Sequence, residues 1–391
     1  MLERRTDILI WVAGKLDKRG SFEDYLLRLG RGLKTAGLST HLVAGPPWDA
    51  GLRRDLAALG LGLTELGEGE LRSAWRAAGI LARTRPRLVH YHFGSPSSKL
   101  AALAAVSGVP RFVFTDHGSR TQVEAGGAGL AAAKRWMRRA RASLVDLYLP
   151  VSNEVAGHLR QEIGLPPARL HRLMNGVDLA RYRPAGAEER MALRQRLLGL
   201  GGAEPVLLYA GQLTAEKGVE DLLAIQPALL RAFPGLTIAW AGDGPLRGAV
   251  EAASGQGVRV LGRRGDMPEL LRAVDLVVAP SRWREAFSLI LAEAAASGLP
   301  AIASRIGGIP EVVANQVTGE LVPPGDPAAL LASLSGLIEQ PARRIAMGQA
   351  ARRRAEALFD LDGMIAATLR HYAALLPLPT ASLTPALEFR S

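Results

Sequence analysis

At 391 residues the chain is too long for one ordinary core and is sized for two domains. It holds no cysteine, which excludes disulfide frameworks, thiolate zinc sites and cysteine nucleophiles and suits a reducing cytoplasm. The net charge of +11 is unevenly placed: residues 1–185 hold 28 lysines and arginines against 16 aspartates and glutamates, the remainder 20 against 21. A basic N-terminal half favours anionic partners, but nucleic acid is excluded because the aromatic residues it would stack on are scarce and scattered.

In chain order, the first element is "DILIWVAG". It follows Arg4-Arg5, yet it is short, opens on an aspartate and runs into "KLDKRG" with no small-residue cleavage site, so it reads as a strand and not a leader. Further short apolar runs follow, "THLVAG", "RLVHYHFG", "RFVFTDHG" and "LVDLYLPVS", then "PVLLYAGQL", "LTIAWAGDG", "VRVLGR", "LVVAPS" and "PAIAS". Each predicts a buried parallel strand feeding a loop at its carboxyl end. Between them, stretches such as "EDYLLRLGRGLKTAG" and "VEDLLAIQPALLRAF" carry apolar residues at helical spacing. This alternation predicts an α/β architecture of doubly wound sheets. The break at "DLARYRPAGAEERMALRQRL" places a domain boundary near residue 184. No segment reaches the roughly 20 apolar residues of a spanning helix, so a soluble or peripheral protein is expected.

Ligands of such sheets bind outside the carboxyl ends of the strands, and there the unusual residues collect. Glu285 and Glu293 stand at and inside a predicted helix beginning at Phe287-Ser288-Leu289, whose free N–H groups suit a phosphate. Carboxylates repel phosphate but accept from hydroxyls, which places them at either end of a diphosphate. Gly211-Gln212 ends one strand and Lys217-Gly218 precedes the next helix; Gly242 and Gly244 form a turn; Leu261 and Arg263 end another strand; Gly307-Gly308 lets backbone approach a ligand. His90 and His92 point to one face of their strand, either as two metal ligands or as a packed or acceptor-lining pair. In 131–144, Trp136, Met137, Ala140 and Leu144 share a face while Lys134, Arg135, Arg138, Arg139 and Arg141 crowd the rest, a pattern of helices lying on anionic bilayers and also of solvated surface helices.

The order Gly-Gln-Leu…Lys217-Gly218, Gly242-Asp243-Gly244-Pro245-Leu246, Pro280-Ser281, Glu285-x7-Glu293, Gly307-Gly308-Ile309-Pro310-Glu311 and Gly319-x-Leu321-Val322 resembles the retaining GT-B glycosyltransferases of family 4. Gly20-Ser21-Phe22-Glu23, "TDHG" at 115–118, Val151-Ser152 and "NGVD" at 175–178 extend the resemblance to about residue 372. It implies two Rossmann-like domains facing a central cleft: an acceptor-binding domain at 1–184 and a nucleotide-sugar-binding domain at 185–361. A helix crossing back to the first domain, with a loose tail, would occupy 362–391.

Carried over by position, the resemblance implies that Lys217 binds the donor diphosphate and that amides at Phe287, Ser288 and Leu289 hold its distal phosphate. Glu293 would meet the ribose, Leu261 and Arg263 the base, Glu285 the donor sugar, and His117 the sugar from the other domain. Gly20 and Ser21 would close over the diphosphate, with Gly211, Gln212, Gly242 and Gly244 lining the donor loops. Lys217, Glu285 and His117 are the expected catalytic residues, with no cofactor and no metal. The expected partners are a nucleoside-diphosphate sugar, an acceptor (glycan, lipid-linked sugar or small molecule) and an anionic membrane surface via 131–144.

Family members commonly carry arginine where this chain has Gln212, and a neutral amide supplies no charge to the leaving phosphate. Arg263, Arg264 or Arg284 would compensate, or the donor is held less tightly. The missing G-x-G-x-x-G after the first strand argues against a nicotinamide oxidoreductase. A GT-B nucleotide-sugar epimerase using Glu23, Asp116 or Glu124 and a non-catalytic binding protein stay open as alternatives.

Overall fold

The structure, a computed structural model, describes residues 5–67, 73–118 and 136–376. Readings placed on Glu124, Lys134, Arg135 and the tail at 377–391 lie outside the described residues. The chain forms two compact units, Met1–Gly176 with Leu361–Ser391, and Val177–Asp360. It changes unit at Val177 and not near 184, because Val177 already pairs with the far end of the second unit: its N–H donates to the Phe359 carbonyl at 2.7 Å, with a bridge to Asp360.

The first unit runs β1 (Ile8–Leu16), α1 (Ser21–Thr35), β2 (Thr40–Trp48), α2 (Ala50–Ala58), β3 (Gly62–Glu65), α3 (Ala74–Thr84), β4 (Leu88–His92), α4 (Lys99–Val106) and β5 (Arg111–Asp116). It continues through α5 (136–142), β6 (Leu147–Pro150) and α6 (Asn153–His158). Its sheet has the order β3-β2-β1-β4-β5-β6, with all strands parallel. β4 is buried along its whole length, as a central strand with helices on both faces must be.

The second unit runs α7 (Ala187–Leu198), β7 (Val206–Ala210), a 3-10 turn at Ala215–Lys217, α8 (Val219–Ala232), β8 (Thr237–Ala241), α9 (Arg247–Ala252) and β9 (Val258–Gly262). After these come α10 (Met267–Ala273), β10 (Leu276–Ala279), α11 (Leu289–Ala296), β11 (Ala301–Ser304), α12 (Ile309–Val312), β12 (Gly319–Val322), α13 (Pro327–Glu339) and α14 (Pro341–Leu358). Its sheet, also parallel, has the order β12-β11-β10-β7-β8-β9. Both units are therefore doubly wound, with the order reversing between β1 and β4 in one and between β7 and β10 in the other. At such a reversal the loops leaving two neighbouring strands diverge and open a crevice.

The chain then returns to the first unit as α15 (Leu361–Leu375). Its buried residues Leu361, Ile365, Leu369 and Tyr372 join the core of that unit, and each such side chain removed from water contributes about 1.5–3 kcal/mol. Gly32 of α1 makes the close approach possible, since a Cβ there would lie 3.2 Å from Leu369 Cδ1. Among the described residues no helix is long and apolar enough to cross a membrane.

Candidate functional site

Of the expected donor residues of the second unit, Gly211, Gln212 and Lys217 follow β7 and Glu285, Phe287, Ser288, Leu289 and Glu293 follow β10, the two strands at its order reversal, whereas Gly242 and Gly244 follow β8 and Leu261 and Arg263 stand at the end of β9. The N–H groups of Arg282 and Trp283, in the loop after β10, donate to the Glu216 carbonyl at 2.8 and 3.1 Å, and Ser281 Oγ donates to the same oxygen at 3.2 Å. The Arg282 guanidinium reaches back to both oxygens of buried Asp221 on α8, at 2.9 and 2.5 Å. These bonds bolt the two loops together and bring Lys217 Nζ to 3.0 Å from Glu285 Oε1. Glu285 is 13% exposed and Lys217 30%, so the pair is partly desolvated, and charge interactions there are stronger than at an open surface.

The helix beyond Glu285 starts two residues later than the sequence predicts. α11 opens at Leu289, and Ser288 caps it in the left-handed region at φ 87°, because Ala286 and Phe287 are drawn into the core with Phe287 edge-on to Phe359. The N–H groups of Phe287, Ser288 and Leu289 donate to no acceptor among the described residues. Two hydroxyls on these loops, Thr214 Oγ1 and Ser288 Oγ, are buried and also without a partner among them. Unpaired donors in a buried position are costly and rare, and together with the positive end of α11 they fit a phosphate. Glu293 is buried in α11, just over one turn in.

The strand-end glycines act differently from one another. A Cβ on Gly242, whose φ is 153°, would lie 1.8 Å from the Gly211 carbonyl oxygen. The close contact lets Gly211 N–H bond Ala241 O, Leu213 N–H bond Asp243 O and Gly242 N–H bond Gly262 O at 2.8–3.0 Å, so the loops bearing Gln212, Gly244 and Leu261 form one stitched rim. Gly307-Gly308, expected to let backbone approach a ligand, makes its close approach to the chain itself. Its Cβ positions would lie 2.4 Å from Glu285 O and 2.2 Å from Ala286 O, and Gly308 N–H donates to Glu285 O at 2.7 Å; the glycine pair packs under the 285–287 loop and holds it.

Gln212 is exposed, and its carbonyl accepts from the Tyr209 hydroxyl at 2.7 Å, a prop that the sequence reading missed. Of the arginines expected to compensate for Gln212, Arg264 is committed to Asp266 through two bonds at 2.8 and 2.5 Å. Arg263 is exposed and has no partner among the described residues.

In the first unit, Gly20 caps α1, and buried Ser21 opens the helix. Glu23 folds back on the Gly20 and Glu23 amides, and burial raises its carboxyl pKa. Phe22 brings this loop to His117, at 5.7 Å between ring centroids. Phe93, with φ 60°, stacks on His117 at 4.3 Å. His90 is bonded at both ring nitrogens, Nδ1 to the Tyr372 hydroxyl at 2.5 Å and Nε2 to Thr115 Oγ1 at 2.6 Å. A metal ion would have to displace one of these bonds, and the packed alternative for the His90 and His92 pair stands. Among the described residues no group of three or more His, Cys, Asp or Glu is arranged to hold a metal.

Residues 204–340 match the family described as glycosyl transferases group 1, and residues 22–181 match glycosyltransferase family 4. The glycogen synthase of Mycobacterium tuberculosis is 31% identical over 87% of this chain and 81% of its own. The chain belongs to glycosyltransferase family 4. The GDP-mannose-dependent monoacylated α-(1-6)-phosphatidylinositol monomannoside mannosyltransferase of Corynebacterium glutamicum is 30% identical over 71% of this chain and 73% of its own. In fold, the glycosyltransferase is similar to Anabaena HepE, whose crystal structure is a UDP complex, with a TM-score of 0.76 and 20% identity over 94% of this chain and 100% of that one. The fold is thus GT-B. The enzyme is a hexosyl-type glycosyltransferase using a nucleotide sugar, and the epimerase and non-catalytic alternatives draw no support from these relatives.

Proposed function

We propose that the enzyme transfers a hexosyl group, with retention, from a nucleoside-diphosphate sugar to a hydroxyl of a glycan, a lipid-linked sugar or a small molecule in glycolipid or polysaccharide assembly. The observation that carries this reading is the Lys217–Glu285 pair at 3.0 Å beside the three open amides at 287–289. Breaking the sugar–diphosphate bond builds negative charge on the departing oxygen, and preorganised positive charge lowers that barrier. Lys217 and the amides supply this charge, with no metal or cofactor invoked. Glu285 accepts from a sugar hydroxyl, and Glu293 from the ribose. Leu261 and Arg263 lie on the rim that takes the base. Gly20, Ser21 and His117 belong to the sugar and acceptor side.

Thermal unfolding of wild type and Lys217→Ala against UDP, GDP, ADP and CMP tests the donor site. A ligand at one hundred times its dissociation constant adds about 2.7 kcal/mol to stability. One nucleoside diphosphate is expected to raise the wild-type midpoint and leave the variant unmoved; no shift with any of them at millimolar concentration rejects the site. NMR of the anomeric proton in the product then reports retention or inversion.

The same proposal places the enzyme in the cytoplasm, peripheral on an anionic membrane. Trp136, at 71% exposure, stands out from α5 with Met137, and Leu144 is exposed in the turn that follows, beside Arg138, Arg139 and Arg141. Exposed apolar residues among arginines match the interfacial pattern, although the Arg139 guanidinium also donates to Ile163 O at 3.2 Å. Trp136→Ser with Arg138→Ser and Arg141→Ser is expected to abolish pelleting with phosphatidylglycerol vesicles while nucleotide binding persists. Unchanged pelleting removes the membrane from the proposal.

A further inference from the structure

The first unit contains a chain of hydrogen-bonded and stacked rings that runs from the last helix to the carboxyl end of β5. Tyr372 of α15 bonds His90 Nδ1. The His90 ring lies 4.0 Å from the His92 ring, and His92 Nδ1 lies 3.2 Å from His117 Nε2. His90 and His92 are completely buried, while His117 is half-buried between Phe93 and Phe22. The other nitrogen of His92, Nε2, is buried with no partner among the described residues.

That orphan decides where the protons sit. A neutral imidazole has one N–H and one bare nitrogen. A buried N–H without an acceptor is rarer and costlier than an unused lone pair, so the His92 proton belongs on Nδ1, directed at His117. His117 Nε2 must then be the acceptor, and a neutral His117 carries its own proton on Nδ1.

We propose that His92 is a positioning residue that locks His117 as a neutral imidazole with Nδ1–H as its only donor, presented to a substrate hydroxyl oxygen. The assignment rests on the reading of His117 as a site residue in the proposed function. A proton added at His117 Nε2 would confront the His92 N–H. Relieving that clash would move the His92 proton to Nε2, where it has no acceptor. Burial acts in the same direction, pushing the His117 pKa down to about 3 and that of His92 well below its ordinary value. His117 is thereby a hydrogen-bond donor that cannot serve as a general base through Nε2. Tyr372 and Thr115 fix the far end by occupying both nitrogens of His90, so that the ring beneath His92 cannot turn.

The test is ring 15N NMR of histidine-labelled full-length enzyme, with His92→Phe and His117→Phe to assign the two rings. The wild type is expected to show His117 protonated on Nδ1 and bare on Nε2; a proton on Nε2 overturns the proposal. His92→Asn, whose side-chain amide replaces the Nδ1 donor, is expected to retain the His117 tautomer and most of kcat. His92→Phe is expected to lose the single tautomer and about tenfold in kcat, with nucleoside-diphosphate affinity unchanged. Equal kcat in the two His92 variants overturns the proposal even if both fold to wild-type thermal midpoints. If the tautomer is as stated but His117→Phe transfers sugar normally, then the placement of His117 at the substrate fails and the lock is structural only.

Discussion

Lys217 and Glu285 stand 68 positions apart in the chain and meet only because the Glu216 carbonyl is the common acceptor of the loop that follows β10. In the proposed donor site, removing Lys217 would leave the departing phosphate with amides alone. Lys217→Ala is therefore expected to lower kcat/KM by about 100- to 1,000-fold in a steady-state transfer assay. The exposed Gln212 leaves room for a second cation, and Gln212→Arg is expected to tighten nucleoside-diphosphate binding by roughly tenfold, as one charge-assisted bond would. Calorimetric titration gives the value, and an unchanged affinity would mean that Arg263 already fills that role. Residue types and spacings marked Lys217, Glu285 and the amides of 287–289 as candidates in the sequence, and the structure brings Lys217 to Glu285. The left-handed Ser288 was not legible, since a serine there carries no mark of its conformation until Phe287 is seen buried. Nor was the pairing of His92 with His117, which depends on the register of β4 with β5 and not on any local spacing.

At the level of elements, each of the ten apolar runs is a strand, and most are buried along their length, as an apolar run in a sheet covered on both faces must be. The two strands that escaped, β3 and β12, each form one of the two edges of their sheet. "GLTE" is half-exposed and "GELV" carries a glutamate, so neither shows a continuous apolar run. Gly307-Gly308 was legible as a close approach but not for what it approaches. Gly307→Ala would set a Cβ 2.4 Å from Glu285 O in a backbone with φ 58°. The loop must shift, at a cost of about 1–3 kcal/mol. A lowered thermal midpoint together with a weakened nucleotide shift is the expected result. A loss of stability with normal nucleotide affinity would show that the loop tolerates the displacement.

The three central histidines affect the stability of the whole molecule. His90 is pushed down to about 3 by burial, with His117 and His371 adding repulsion, and Tyr372, Thr115 and His92 face it. The unfolded chain takes up protons below about pH 6.5 while the folded one does not. Stability is thus complete above pH 6.5 and is lost as pH falls towards 3, at about 1.4 kcal/mol per unit for each such histidine. Chemical denaturation at pH 7.5 and 5.0 measures this loss, which His90→Gln is expected to reduce; equal slopes would mean that His90 is protonated in the folded state.

The return of α15 to the first unit also sets an order of events during synthesis. Residues 177–360 are contiguous and can fold as soon as they leave the ribosome, whereas the core built from β1, β2 and α1 lacks Leu361, Ile365, Leu369 and Tyr372 until those residues too have emerged. The half made first is completed last. Its apolar surface stays open while the second unit is already formed, so a released chain truncated after Asp360 should be cleaved by protease in residues 5–176 and protected in 177–360.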